Sequence, residues 1–211
     1  MFSRITEVKP GQLFQLPGEI GKWLGKMERY RNVIILHGER GGGKSNLVFD
    51  LMDAFAHLSW VKTIGFFSLE EGANTDLIKR KRDKYFGEDA NAKVVIADEA
   101  PQGIETVKRA AELMDIVVVD SFGKLKAPQT VIDELRKQYP KTIFIFVFQT
   151  TTAGNARGGS SASFDCSVEI IVKKSPDGDF KKNTAYLEKN RYGETRESYW
   201  IFSRALRMMN L

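Results

Sequence analysis

A glycine-rich segment at residues 38–45 constrains the fold of this chain more than any other feature. It reads Gly-Glu-Arg-Gly-Gly-Gly-Lys-Ser and matches the pattern G-x-x-x-x-G-K-[ST]. The match carries weight because an apolar run at 32–37 precedes it and a helical pattern at 44–57 follows it. Such glycines let successive backbone N–H groups face phosphate oxygens at the positive end of a helix. We therefore expect a strand, a phosphate-binding loop and a helix, in that order.

The same segment predicts a site for ATP and Mg²⁺. Lys44 is expected to bring its charge to the β- and γ-phosphates, and Ser45 to supply an oxygen to the metal ion. The alternative is that the segment is only a glycine-rich turn. The expected nucleotide-binding residues are Gly38, Glu39, Arg40, Gly41, Gly42, Gly43, Lys44, Ser45 and Asn46.

Apolar runs alternate with helical patterns along most of the chain. Continuous β-branched runs in this arrangement are typical of βαβ units with a parallel sheet covered on both faces. The predicted strands are 32–37, 61–69, 92–97, 115–120 and 142–149, and the predicted helices are 44–57, one through the basic run 78–84, 103–114 and 129–138.

The end of the chain has a different pattern, typical of antiparallel hairpins. Strand-like runs at 168–173 and 184–189 flank a turn-rich segment, and a second hairpin follows around 190–194 with 198–202 as its return strand. We predict an α/β fold in which a mainly parallel sheet between helices is closed by C-terminal antiparallel strands. One domain, 1–211, is expected, with an N-terminal segment 1–30, a core 31–165 and hairpins 166–203.

Carboxylates follow two of the predicted strands. Asp120 ends Ile-Val-Val-Val-Asp, at the edge where open α/β sheets bind ligands, and we assign it to Mg²⁺ as a Walker B residue rather than a helix N-cap. Glu70 and Glu71 end the second strand, which we expect beside the strand at 32–37. One of them should orient the water that attacks the γ-phosphate. Because side chains alternate along a strand, only one should point inward, and we favour Glu70.

Gln149 ends the fifth predicted strand, where it is either a sensor of the γ-phosphate or a strand cap. Other conspicuous side chains are assigned to packing. They are His37, His57, Trp23, Trp60 and Trp200.

Together these motifs resemble the RecA, RadA and DnaB branch of P-loop ATPases. Phe-Ser-Leu-Glu at 67–70 is similar to the DnaB-type helicase pattern, with Glu70 at the catalytic glutamate, and Lys-Asn-Arg-Tyr-Gly at 189–193 is similar to a RadA motif. The resemblance implies a RecA-like core in a ring or filament, where Lys189 and Arg191 reach a neighbour's γ-phosphate. The alternative is a structural basic turn. The resemblance to this branch covers residues 14–203 and does not include the extra domains of RadA or DnaB. In this respect the chain is similar to short phage proteins that aid annealing or recombination.

The resemblance also implies single-stranded DNA as a partner. Residues 150–164 occupy the position of the second DNA-binding loop of RecA-like proteins and contain Arg157, while Lys124 and Lys126 occupy the first-loop position. The basic run 78–84 is either a solvated helix face or a nucleic-acid patch. A formal net charge of +5 is compatible with either interpretation.

Composition limits where such a protein works. The single cysteine, Cys166, excludes an internal disulfide and a multi-cysteine zinc site, and favours a reducing compartment. We found no apolar run long enough to cross a membrane and no signal-peptide pattern. A cytoplasmic protein is expected, in the host cytoplasm if a phage encodes it.

Three functions fit to different degrees. The first is an oligomeric ATPase that acts on DNA in recombination, annealing or unwinding. The second is a nucleotide-switched binding or assembly protein with slow hydrolysis and no direct role on DNA. The third, a small-molecule kinase, explains the glycine-rich loop but neither Glu70 nor the motif at 189–193.

Overall fold

The structure, a computed structural model, describes residues 4–9, 11–149, 161–195 and 197–204. The strands in these residues are β1 (Leu13–Gln15), β2 (Lys26–Glu28), β3 (Val33–Gly38), β4 (Ile64–Ser68), β5 (Val94–Ala97), β6 (Ile116–Asp120), β7 (Ile143–Val147), β8 (Val168–Lys173), β9 (Thr184–Asn190) and β10 (Ser198–Trp200). The α-helices are α1 (Gly18–Leu24), α2 (Lys44–Ala56), α3 (Asp76–Tyr85), α4 (Glu88–Lys93), α5 (Ile104–Leu113), α6 (Val131–Gln138) and α7 (Ser161–Asp165).

Eight of the strands form one sheet in the order β10-β9-β8-β3-β7-β6-β4-β5. The strands from β8 to β5 run parallel to their neighbours, whereas β9 and β10 pair in antiparallel fashion. Strands β3, β4, β6 and β7 are buried along their whole length, which explains why their sequences are continuous apolar runs. The predicted fold class, with its C-terminal antiparallel strands, is confirmed.

Helices cover both faces of this sheet. Ile34 and Leu36 of β3 join one core cluster with α1 to α4, and Val33 and Ile35 join the opposite cluster with α5 and α6. This division follows from the period of two along a strand, which sends alternate side chains to opposite faces. Because α2 packs in the first of these clusters, its first turn lies at the carboxyl end of β3, across the short loop 39–43.

The position of β4 corrects one expectation. Strand β4 does not lie beside β3, because β7 and β6 stand between them. Strand β3 pairs with β7 on one side and with β8 on the other, so both of its edges are taken by strands that come later in the chain. The carboxyl end of β4 nevertheless opens onto the same edge of the sheet as β3, since all these strands are parallel.

Several smaller features differ from the sequence-based expectations. The N-terminal segment forms a two-stranded hairpin, β1–β2, around α1, and α4 precedes β5. Trp200 is half exposed on β10 rather than packed in the core, because its neighbour Tyr199 takes the inward position. Cys166 is buried, and burial raises the pKa of its thiol to about 12.

The end of the described chain is fastened to α2. Arg204 lies 3.0 Å from Asp50 Oδ1 and 2.6 Å from Asp53 Oδ2, and both carboxylates are buried. The Tyr199 hydroxyl also donates to Asp50 at 2.5 Å.

Among the helices that the structure describes, none combines the length and apolar character needed to cross a bilayer.

Candidate active site

The glycine-rich loop joins β3 to α2 and is shaped by residues that surround it. Gly43 has φ of 107°, and a Cβ there would lie 3.3 Å from the side chains of Ile201 and Phe202. Only glycine meets both conditions without strain. The Asn183 side-chain amide donates to the Gly42 carbonyl at 3.1 Å, so the segment that leads into β9 braces the loop from outside.

Lys44 begins α2 and turns back over the loop. Its ammonium donates to the carbonyls of Gly38 at 2.9 Å and Glu39 at 3.0 Å. Burial lowers the pKa of Lys44, and the nearby carboxylates of Asp120 and Glu70 oppose this shift. Its charge therefore lies at the mouth of the loop, held by neutral oxygens that an anionic phosphate can replace.

Ser45 and Asp120 meet at the carboxyl edge of the sheet. The Ser45 hydroxyl donates to Asp120 Oδ2 at 2.8 Å. Burial raises the pKa of Asp120 to about 6, and Glu70 and Glu71 add to the shift while the bond from Ser45 opposes it. Hard oxygen donors suit Mg²⁺, which needs only one or two carboxylates because it keeps several waters. These two side chains fit the expected metal position.

Glu70 and Glu71 both line the cleft beside the loop, which contradicts the expectation that only one of them points inward. Strand β4 ends at Ser68, so both glutamates lie in a turn where the alternation of a strand no longer applies. Their contacts separate them.

Glu70 Oε1 accepts hydrogen bonds from the Ser121 hydroxyl at 3.4 Å and from the Gln149 amide. Glu71 is instead held by Lys81, whose ammonium lies 2.7 and 2.5 Å from its two oxygens.

A cleft of about 920 Å³ brings the predicted residues of one subunit together. It is lined by most of the glycine-rich loop, the start of α2, Glu70, Asp120 and Gln149. Glu39 is directed elsewhere, since its carboxylate accepts from the Lys174 N–H at 3.3 Å. Lys124, which we assigned to DNA, also lines this cleft and therefore lies within reach of the nucleotide position.

Three lining residues escaped the sequence analysis: Lys81, Phe180 and Phe202. A signal for Lys81 was present, since Ile78 and Tyr85 fix the buried face of α3 and Lys81 lies between them at helical spacing. Phe180 and Phe202 meet edge to face at 5.5 Å, but they come from separate C-terminal segments that no short pattern connects.

Lys189 and Arg191 lie away from the cleft of their own chain. The Lys189 ammonium donates to the carbonyls of Ser163 and Phe164, and Arg191 donates to the Phe164 carbonyl at 2.9 Å. Both cations thus hold the end of the short helix α7. Arg157 lies outside the described residues, and Lys126 is exposed.

His37 does more than pack. The buried Glu169 carboxylate accepts hydrogen bonds from His37 Nε2 at 2.8 Å and from the Ser163 hydroxyl at 2.6 Å. Burial favours a higher pKa for Glu169, but these two bonds outweigh it and hold the pKa below its ordinary value. The network joins the residue before the glycine-rich loop to α7, which Lys189 also contacts.

The basic run on α3 is mostly a solvated, ion-paired surface. Lys79 pairs with Asp83 at 3.1 Å and Arg80 with Asp76 at 2.6 Å, and all four side chains are exposed. Lys81 differs from these neighbours because it turns inward. The ion pairs favour the solvated-face interpretation of this segment over a nucleic-acid patch.

A family model described as RNA helicase matches residues 34–145, more than half of the 211-residue chain. The chain belongs to the RNA helicase family. The matched region of this family member contains the glycine-rich loop, Glu70 and Asp120, but ends before Gln149 and the C-terminal strands. No curated protein matches the chain.

Two solved structures share the fold of this RNA helicase family member. The flagellar accessory protein FlaH from Methanocaldococcus jannaschii superposes with a TM-score of 0.69 at 17% identity, over 89% of this chain and 93% of FlaH. A KaiC-like protein from Pyrococcus horikoshii gives 0.66 at 16% identity, over 90% and 94% of the two chains. Both likenesses show a RecA-like P-loop fold.

Proposed function

We propose that this protein is a Mg²⁺-dependent ATPase that assembles into a ring or filament and acts on single-stranded nucleic acid. One observation carries the ATPase assignment. Lys44, the Ser45–Asp120 pair and Glu70 converge on one cleft at the carboxyl edge of a parallel sheet. Phosphate charge, a metal ligand pair and a carboxylate for water are the groups that phosphoryl transfer to water requires.

The residues of the cleft divide the work between binding and chemistry. Lys44 would exchange its two carbonyl partners for phosphate oxygens, which gives stronger, charge-assisted bonds. Ser45 and Asp120 would hold Mg²⁺, which neutralises phosphate charge when bound. Glu70 would orient the attacking water and accept its proton. The exposed ring of Phe180 offers an apolar surface at the mouth of the cleft for the base.

Gln149 connects this chemistry to the rest of the chain. Its amide donates to Glu70, and it stands two residues beyond β7, immediately before the segment 150–160. A side-chain amide can donate to a carboxylate or to a γ-phosphate oxygen. The bond that Gln149 makes would therefore differ before and after hydrolysis, which supports the sensor interpretation over a simple strand cap.

Lys189 and Arg191 support the proposal of action between subunits. They lie outside the cleft of their own chain, and the described contacts of both side chains are to carbonyl oxygens. A planar guanidinium suits two-point contact with phosphate oxygens of a neighbouring site. The motif at 189–193 resembles that of RadA proteins, which supports the RadA and DnaB branch as the closer relationship within the fold.

Nucleic acid is proposed as the partner on two grounds. The family description names RNA helicases, while the resemblance to RecA-like proteins points to DNA at 150–164 and around Lys126. Single-stranded nucleic acid is common to both, and recombination, annealing and unwinding all require it.

ATP turnover should be measured alone and with single-stranded RNA or DNA of equal length and sequence. We expect Mg²⁺-dependent turnover that either polymer stimulates and that Lys44→Ala abolishes together with most ATP binding. Turnover that Lys44→Ala leaves intact would remove the ATPase assignment. Turnover that neither polymer changes would remove the nucleic-acid role.

A nucleotide-switched assembly protein is the second candidate, and one observation favours it. Lys189 and Arg191 are bonded to carbonyls of their own chain, so these bonds would have to break before either side chain could reach the nucleotide of a neighbouring subunit. This function predicts slow turnover without stimulation by either polymer, together with a particle size that differs between ATP and ADP. Light scattering alongside the turnover assay distinguishes the two candidates.

A further inference from the structure

We infer that Lys81 is a positioning residue that withholds the charge of Glu71 from the nucleotide, so that Glu70 alone serves the attacking water. The inference rests on the proposed ATPase function and deepens it. The basis is geometric. Lys81 reaches from α3 into the nucleotide cleft and contacts both oxygens of Glu71, at 2.7 and 2.5 Å.

The burial of Lys81 sets it apart from the neighbouring cations of its helix. The side chain of Lys81 is 8% exposed, whereas those of Lys79 and Arg80 are 65% and 78% exposed and pair with acids of α3 itself. A lysine is almost never buried unless it is paired. Its pairing with Glu71 links α3 to the turn after β4, rather than stabilising the helix.

The number of negative charges in the cleft explains why the ion pair between Lys81 and Glu71 matters. Three carboxylates, those of Glu70, Glu71 and Asp120, line the space that a triphosphate would share. Asp120 suits the metal and Glu70 suits the water, but a third negative charge would repel the phosphates and compete for the metal. Lys81 neutralises that third carboxylate and turns it towards α3.

The turn itself explains why such a device is needed. Glu70 and Glu71 are adjacent and lie beyond the last residue of β4, where strand geometry no longer selects one side chain. Glu70 contacts Ser121 and Gln149, whereas Glu71 contacts Lys81. The ion pair therefore supplies the selection that the backbone does not.

The test is a double-mutant cycle of Lys81→Met and Glu71→Gln, with ATP affinity and kcat as separate readouts. Lys81→Met frees a carboxylate in the cleft, so we expect ATP affinity and kcat each to fall by at least about tenfold. The double variant has a neutral residue at both positions, as the ion pair is neutral overall in the wild-type protein, and both values should return to within about threefold of the wild-type values. Lys79→Met, on the exposed face of α3, is the matched control and should change neither.

Rescue by the second substitution separates this role from a purely structural one. The loss of a structural contact would impair Lys81→Met and the double variant alike, whereas removal of the Glu71 charge restores function only if Lys81 acts on that charge. Glu71→Gln alone leaves a positive charge beside the phosphates, so its ATP affinity should rise, and this variant tests the inference even if Lys81→Met fails to fold.

Three results would overturn the inference. They are wild-type behaviour of Lys81→Met, a double variant as impaired as Lys81→Met, and weaker ATP binding by Glu71→Gln. The second would mean that Lys81 contacts the phosphates itself. If the wild-type protein binds ATP without turnover, the proposed ATPase function fails, while the affinity arm of the cycle still decides whether Lys81 acts through Glu71.

Discussion

The Ser45 hydroxyl donates to Asp120 across 2.8 Å and thereby joins the first turn of α2 to the end of β6. The two residues belong to strand–loop units that β7 separates in the sheet. Their contact means that the proposed metal position is assembled from two distant parts of the sequence before any ligand contributes. The cost of ionisation at this position is borne by Asp120, whose pKa is raised because the carboxyl is buried and close to two glutamates.

Asp120→Asn should stabilise the protein at neutral pH while removing Mg²⁺-dependent ATP binding. Burial raises the pKa of Asp120 to about 6 in the folded state, so ionisation of this carboxyl opposes folding. The stability of the wild-type protein therefore falls as the pH rises from the pKa of Asp120 in the unfolded chain to about 6. The variant should gain roughly 1–3 kcal/mol at pH 7.5. Urea unfolding at pH 7.5 and near pH 4 measures this, and a gain of equal size at both values would contradict the ionisation argument.

Glu70→Gln should retain ATP affinity but slow hydrolysis by about 100-fold or more, because the amide cannot accept a proton from water. Glu71→Gln is the matched comparison one residue away and should lower kcat by less than about threefold. Single-turnover hydrolysis and equilibrium ATP binding separate chemistry from affinity. If the larger effect appears in Glu71→Gln, the two glutamates have been assigned the wrong way round.

Arg191→Ala should bind ATP normally but lose hydrolysis, by roughly 10³–10⁵ if the side chain acts as an arginine finger. The fold should persist, because Lys189 still contacts the Phe164 carbonyl. Mixing this variant with Glu70→Gln creates interfaces that pair an intact glutamate with an intact finger. Activity should reappear in the mixture, and co-assembly without any recovery would show that the hairpin is only structural.

Arg204→Met should destabilise the protein by about 3–5 kcal/mol, because it removes the guanidinium that pairs with both buried carboxylates, those of Asp50 and Asp53. Arg80→Met removes an exposed pair and should change stability by less than about 1 kcal/mol. Urea unfolding at pH 7.5 compares the two. Equal effects would mean that the buried pairs are unimportant to stability.

The sequence predicted those features that depend on short segments. The loop at 38–45 can be recognised from the sequence because glycine, lysine and serine must occur at fixed spacing to surround a phosphate. Strands β3, β6 and β7 were found because complete burial requires continuous apolar runs. The C-terminal hairpins followed from turn residues between alternating strands.

What the sequence did not show depends on contacts between distant residues. The separation of β3 from β4 is decided by β7, which is made about a hundred residues after β3. The bond between His37 and Glu169 joins positions 132 residues apart. The difference between Glu70 and Glu71 is set by Lys81 and Gln149, so no rule about alternation within one strand could have found it.

The glycine-rich loop depends on contacts from the C-terminal part of the chain, so we expect the protein to become functional only late in its synthesis. Residues 34–145 contain Lys44, Glu70 and Asp120, yet β8, which pairs with β3, and Asn183, which holds the loop, are both translated later. A nascent chain that ends at residue 145 therefore has its phosphate-binding strand open along one edge. The ability to bind ATP should arise late, after the ribosome has released the C-terminal hairpin. A shorter fragment that contains Lys44, Glu70 and Asp120 would still be unable to bind ATP.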